Sequence, residues 1–112
     1  MIGLIEHNRT SLEKLCARYR VERLELFGSA ATDEFDPGTS DLDFLVEFQR
    51  SDDMSLADQY FGLLADLEEL FGHEVDLVMS RALRNRYFIE AVNRTRRLVY
   101  ACQVGTVEEA PL

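Results

Sequence analysis

The stretch "LFGSAATDEFDPGTSDLDFLVEF", residues 26–48, sets two aspartates, Asp41 and Asp43, at the head of one apolar run and closes the preceding run with Gly28-Ser29. Side chains alternate along a strand, so Leu42, Phe44, Val46 and Phe48 of "DLDFLVEF" share one face and Asp41, Asp43, Leu45 and Glu47 the other. The two aspartates therefore project side by side, with α-carbons about 7 Å apart. Between the runs, "AATDEFDPGTS" is rich in Thr, Asp, Gly, Pro and Ser and reads as turn, with one short helical turn at its start.

Working outward, "VERLELF" alternates Leu24 and Leu26 against charged Glu25 and reads as a strand that ends at Gly28-Ser29. Before it, Thr10-Ser11-Leu12-Glu13 has the form of a capping box, followed by Leu12, Leu15, Cys16 and Tyr19 at helical spacing. After it, Ser55 opens a helix to about Leu70, with Leu56, Tyr60, Leu63, Leu64, Leu67 and Leu70 stepping by threes and fours and Gly72 closing it. "HEVDLVM" returns to alternation, with Val75, Leu77 and Met79 on one face and Asp76 on the other. Ser80 is the expected N-cap of a last helix over 82–93, and "RRLVY" a fourth strand.

A helix joining two acid-bearing strands makes a crossover, which places them as parallel neighbours. The expected fold is α/β in the α+β sense: a small mixed sheet of about four strands with helices packed mainly on one face. One domain is expected over residues 1–102, with 103–112 a loose tail that has little to bury.

Composition narrows the function. With 46% hydrophobic and 29% charged residues the chain reads as an ordinary globular protein, without an apolar run long enough for a membrane helix or a cationic leader, and a cytoplasmic location is expected. Cys16 and Cys102 lack a metal or redox spacing and read as buried thiols, and His7 and His73 are isolated, so a zinc ligand set is missing. A net charge of −9 argues against nonspecific nucleic-acid binding. The charge is uneven: residues 1–80 carry net −12, whereas 81–98 carry net +5 through six arginines. That stripe from Arg81 to Arg97 is either a solvated helix face or a surface for an anion or a partner.

Three carboxylates brought together repel unless a cation neutralises them, and hard divalent ions take oxygen ligands. Magnesium is the natural guest for Asp41, Asp43 and Asp76, and because it keeps waters and shares substrate phosphates it implies a nucleotide. Gly28 leaves room for a ligand, the turn after it aims backbone N–H groups outward, and Ser29 adds a hydroxyl, so the end of the first strand reads as a phosphate cradle.

Gly28-Ser29, the loop ending in Ser40, Asp41-Leu42-Asp43 with "FLVEF" and the later "VDLV" together resemble the minimal nucleotidyltransferases of the DNA polymerase beta-like superfamily, over roughly residues 12–100. The resemblance implies that fold, with Asp41 and Asp43 as metal-binding aspartates, Asp76 as the third acid, and Gly28, Ser29 and Ser40 at the nucleotide. It implies two magnesium ions, ATP as substrate, and an antitoxin role in which AMP passes to a tyrosine of a HEPN-domain toxin. Two departures stand out. Eleven residues separate Ser29 from Asp41 where ten are usual, and "AATD" replaces a stretch that often holds arginine and glycine, leaving Arg81, Arg84 or Arg86 as the substitutes. The other readings are an inactive docking module of the same fold and a transferase for a small cationic molecule of the aminoglycoside type. Base identity leaves no mark in the sequence. Self-association stays open: Phe35 or Tyr87 could form a dimer face, but burial in the core is the better expectation for either.

Overall fold

The computed structural model describes residues 2–31 and 42–102. Ten elements follow in order: α1 (Ile2–His7), α2 (Arg9–Arg18), β1 (Val21–Phe27), a 3-10 turn (Gly28–Ala31), β2 (Leu42–Phe48), α3 (Leu56–Phe71), β3 (Val75–Met79), a second 3-10 turn (Ser80–Ala82), α4 (Arg86–Thr95) and β4 (Arg97–Ala101). The four strands form one sheet in the order β3-β2-β1-β4. β1 runs antiparallel to both β2 and β4, while β2 and β3 are parallel and joined through α3. The mixed four-stranded sheet and its crossover are as the alternation of the sequence predicts.

The two faces of the sheet are closed differently. Leu24 and Leu26 of β1, Leu42, Phe44 and Val46 of β2, and Val75 and Leu77 of β3 are buried in one cluster with Leu12 and Cys16 of α2 and Leu63, Leu67 and Phe71 of α3. Period-2 strands and period-3.6 helices meet there, and this is the main core. On the opposite face, Phe27 and Leu45 are buried with Val92 of α4, flanked by Val78 and Leu83. Leu45 shares its face with Asp43 by strand periodicity, and α4 is what makes that position apolar.

Local signals decide where elements begin. The Ser55 hydroxyl accepts the Asp58 N–H at 3.1 Å and Gly72, at φ 67°, ends α3, as expected from the sequence. At the other two helices the expected start moves. Thr10 lies inside α2, which begins at Arg9 after the separate short α1, so the capping-box pattern there does not mark a helix start. Ser80 opens only the second 3-10 turn; Asn85 caps α4 instead, its side-chain oxygen accepting the N–H groups of Tyr87 and Phe88 at 2.8 and 3.1 Å. An asparagine with two backbone donors in reach outcompetes a serine five residues earlier.

Glu25 differs from its expected exposure on the charged face of β1: it is 4% exposed. The Arg96 guanidinium donates to both of its carboxylate oxygens, at 2.9 and 2.6 Å, and Arg23 lies at 3.2 Å. The bidentate pair ties the corner between α4 and β4 to the middle of β1. The Arg96 hydrogen bonds hold the Glu25 carboxyl below the usual glutamate range.

No helix among the described residues is long and apolar enough to cross a membrane. Residues 103–112, expected as a tail, lie outside the described residues. Both cysteines are free, Cys16 buried and Cys102 half-buried.

Two outcomes are expected. Burial pushes the Cys16 thiol up to about 12, so at about pH 8 the folded protein should react with a thiol reagent at Cys102 alone, and at Cys16 only in denaturant. Arg96→Ala leaves a buried carboxylate with only Arg23; because the Arg96 side chain is itself 38% exposed, urea titration at neutral pH should show a loss of about 1–2 kcal/mol. Because folding lowers the Glu25 pKa, the pair stabilises the fold fully above the unfolded glutamate value of about 4.3 and loses that contribution as pH falls through the lower folded value. The gap between wild type and Arg96→Ala should therefore narrow under acid conditions.

Candidate active site

β2 and β3 start at the same edge of the sheet, because they are parallel, and β1 ends there, because it is antiparallel to β2. Three sequence features meet at this edge. In the β2–β3 register Asp43 is the direct partner of Asp76, on adjacent strands whose spacing is about 4.8 Å. In the β1–β2 register Phe27 is the partner of Asp43, so Gly28 follows directly beside that aspartate. Asp43 is half-buried, Asp76 exposed.

Gly28 is required twice over. Its φ of 72° lies in the left-handed region, and a Cβ placed there would sit 2.5 Å from Asp43 Oδ2. The glycine backbone thus forms the wall against which one carboxylate oxygen rests. Its N–H, however, does not point to an open cradle: it donates to Thr95 Oγ1 at 2.8 Å. The Gly28 amide is therefore not one of the outward N–H groups expected of the turn that follows it. Thr95 is the last residue of α4, and nothing in its local sequence marks it, since only the tertiary fold carries it 67 positions back along the chain.

The remaining expected residues divide. Asp41 and Ser40 lie outside the described residues, as do Asp33 and Phe35, and the Ser29 side chain is likewise not described. Among the described residues no group of three or more His, Cys, Asp or Glu side chains could hold a metal, so the described part of the site is the Asp43–Asp76 pair. Ala31, one of the residues standing where arginine is usual, is 3% exposed and belongs to the main core, which explains its size: the position faces inward.

The arginine stripe is not one surface. Arg96 is committed to Glu25, and Arg84 donates to the carbonyls of Arg81 and Leu83 at 2.6 and 3.2 Å. Arg81 lines a cleft of about 700 Å³ with Phe48, Arg50, Ser55, Gln59 and Met79. That cleft opens where β2 and β3 end, at the opposite end of the strands from Asp43 and Asp76, so it is not the carboxylate site.

Chemically, two adjacent carboxylates beside a tight glycine wall suit a hard divalent cation and a phosphate ester that shares it. The family model for the nucleotidyltransferase domain matches residues 9–103. Two candidate protein adenylyltransferases of Methanocaldococcus jannaschii are similar in sequence. One is 35% identical over 89 residues, 80% of this chain and 83% of the relative; the other is 33% identical over 75 residues, 67% and 73%. Among solved structures, a candidate minimal nucleotidyltransferase superposes with a TM-score of 0.66 at 33% identity, covering 82% of this chain and 89% of its own. A chain from the complex of the tri-AMPylated HEPN toxin of Shewanella oneidensis with its MNT antitoxin gives 0.59 at 18% identity, covering 91% and 76%, a likeness of fold.

Gly28→Ala should be costly at both levels. The left-handed backbone alone is worth about 1–2 kcal/mol against alanine, visible as a lower midpoint in urea. The added methyl also forces the Asp43 carboxylate to turn away, so metal binding or turnover should fall further than the stability loss accounts for.

Proposed function

Because the chain belongs to the nucleotidyltransferase domain family, whose model spans residues 9–103, we propose that it transfers AMP from ATP to a hydroxyl of a partner protein, acting as an antitoxin on a tyrosine of a HEPN-domain toxin. The register that sets Asp43 against Asp76 beside Gly28 carries this reading. The names of the two archaeal relatives favour a protein acceptor, and the Shewanella complex, in which an AMPylated HEPN toxin sits with an MNT antitoxin, favours the partner.

Magnesium fits the donor set, since it is held by one or two carboxylates together with substrate phosphates. Asp43 and Asp76, with Asp41 by sequence, are the residues that would hold it. Bound there, it supplies charge neutralisation for the triphosphate and a lower pKa for the acceptor hydroxyl.

The chain's own residues account for the rest. Gly28, lacking a side chain, leaves Asp43 Oδ2 in place and the edge of the sheet open to the nucleotide. The acceptor oxygen attacks the α-phosphorus in line with the departing β- and γ-phosphates; a phosphoester bond forms, the α–β bridge breaks, and pyrophosphate leaves. The hydroxyl proton passes to solvent or to an exposed carboxylate, for which Asp76 is placed at the edge. Alignment and charge stabilisation supply the rate, and no bond to the enzyme is made.

Asp43→Asn keeps the shape of the side chain and removes its charge. With α-labelled ATP, magnesium and a HEPN-domain acceptor, label transfer should fall by more than about a hundredfold, with an unchanged circular dichroism spectrum. Chelation with EDTA should abolish transfer by the wild type. Undiminished labelling by Asp43→Asn would overturn the assignment.

A further inference from the structure

Gly28 has the widest backbone freedom of any residue type, so a left-handed glycine that walls a functional carboxylate must be held from outside. The strand ladder does not do it: the β1–β2 register ends with Phe27 opposite Asp43, one residue short. The holding contact is Thr95 Oγ1, which accepts the Gly28 N–H at 2.8 Å. We propose that Thr95 is a positioning residue for the carboxylate site, fixing Gly28 so that the Asp43 carboxylate keeps the orientation needed to bind a metal. The proposal deepens the nucleotidyl-transfer reading and, as regards metal and nucleotide, rests on it.

The surroundings of Thr95 are built for such a role. The next residue, Arg96, is fixed to Glu25 of β1 by two charge-assisted hydrogen bonds, so two consecutive residues at the α4–β4 corner grip β1, one in its middle and one just past its end. Phe88 of α4 meets Phe27 edge-on, with ring centroids 5.9 Å apart, and Val92 is buried against the same side of the sheet. α4 and the corner that follows it are thereby held to β1 by an aromatic contact, a hydrogen bond and an ion pair. The chain of contact from Thr95 to the chemistry is short: hydroxyl to Gly28 amide, then Gly28 α-carbon to Asp43 Oδ2, where even a methyl group does not fit.

A purely structural role, satisfying one backbone amide, gives a different result from a positioning role. Thr95→Val keeps the shape and removes the acceptor; Thr95→Ser keeps the acceptor. Three quantities decide between them: the carboxyl carbon resonance of Asp43 at fixed neutral pH, Mn²⁺ affinity followed by the free-ion paramagnetic signal, and the thermal midpoint. Positioning predicts that Thr95→Val moves the Asp43 resonance and weakens Mn²⁺ binding by about tenfold or more, the range for residues that orient metal ligands, while Thr95→Ser stays within about twofold of wild type. A lowered thermal midpoint with an unmoved Asp43 resonance and wild-type Mn²⁺ affinity would overturn it, as would a serine variant that behaves like valine. If the wild type itself binds no Mn²⁺, the metal-dependent reading fails, and the Asp43 resonance still decides whether Thr95 sets that carboxylate.

Discussion

The parallel pairing of β2 with β3 is the constraint from which the rest follows. Parallel neighbours need a crossover, and the sixteen residues of α3 supply it while burying one face of the sheet. The same pairing puts the starts of both strands at one edge and sets Asp43 opposite Asp76. Like charges directly opposed across a ladder work against folding. Their presence at the start of two largely apolar strands is therefore a cost to the fold that a bound cation can relieve.

β1 completes that edge from the other direction. Running antiparallel to β2, it delivers Gly28 to the side of Asp43, and α4 returns across the second face to hold it there. The two faces of the sheet thus have separate tasks. The α2–α3 face contains most of the buried apolar side chains and carries the stability, whereas the α4 face carries a small cluster of Phe27, Leu45 and Val92 beside the polar site. Glu25 and Arg96 form the polar counterpart of that small cluster, and their ion pair joins its two ends of chain.

Strand alternation and helical periodicity made β1, β2, α3, β3 and β4 legible in the sequence, together with the crossover and the meeting of Asp43 with Asp76. Helix starts were less legible, since caps compete: Thr10 and Ser80 have the right chemistry, yet the chain begins its helices at Arg9 and after Asn85. The arginines from Arg81 to Arg97 are one block in sequence. In the fold Arg81 lines a far cleft, Arg84 reaches two nearby carbonyls and Arg96 pairs with a buried glutamate.

What the sequence determined by itself was the set of local rules: which residues alternate, where glycine is obligatory, and which strands carry acid. Those rules act between residues near in sequence, and periodicity suffices to express them. Only the tertiary structure decided that Glu25 is buried with Arg96, that Ala31 faces the core, and that Thr95 occupies the amide of Gly28. Each of these joins residues far apart in the chain, or depends on which side of the sheet a helix returns to, and no local pattern encodes the distance between them.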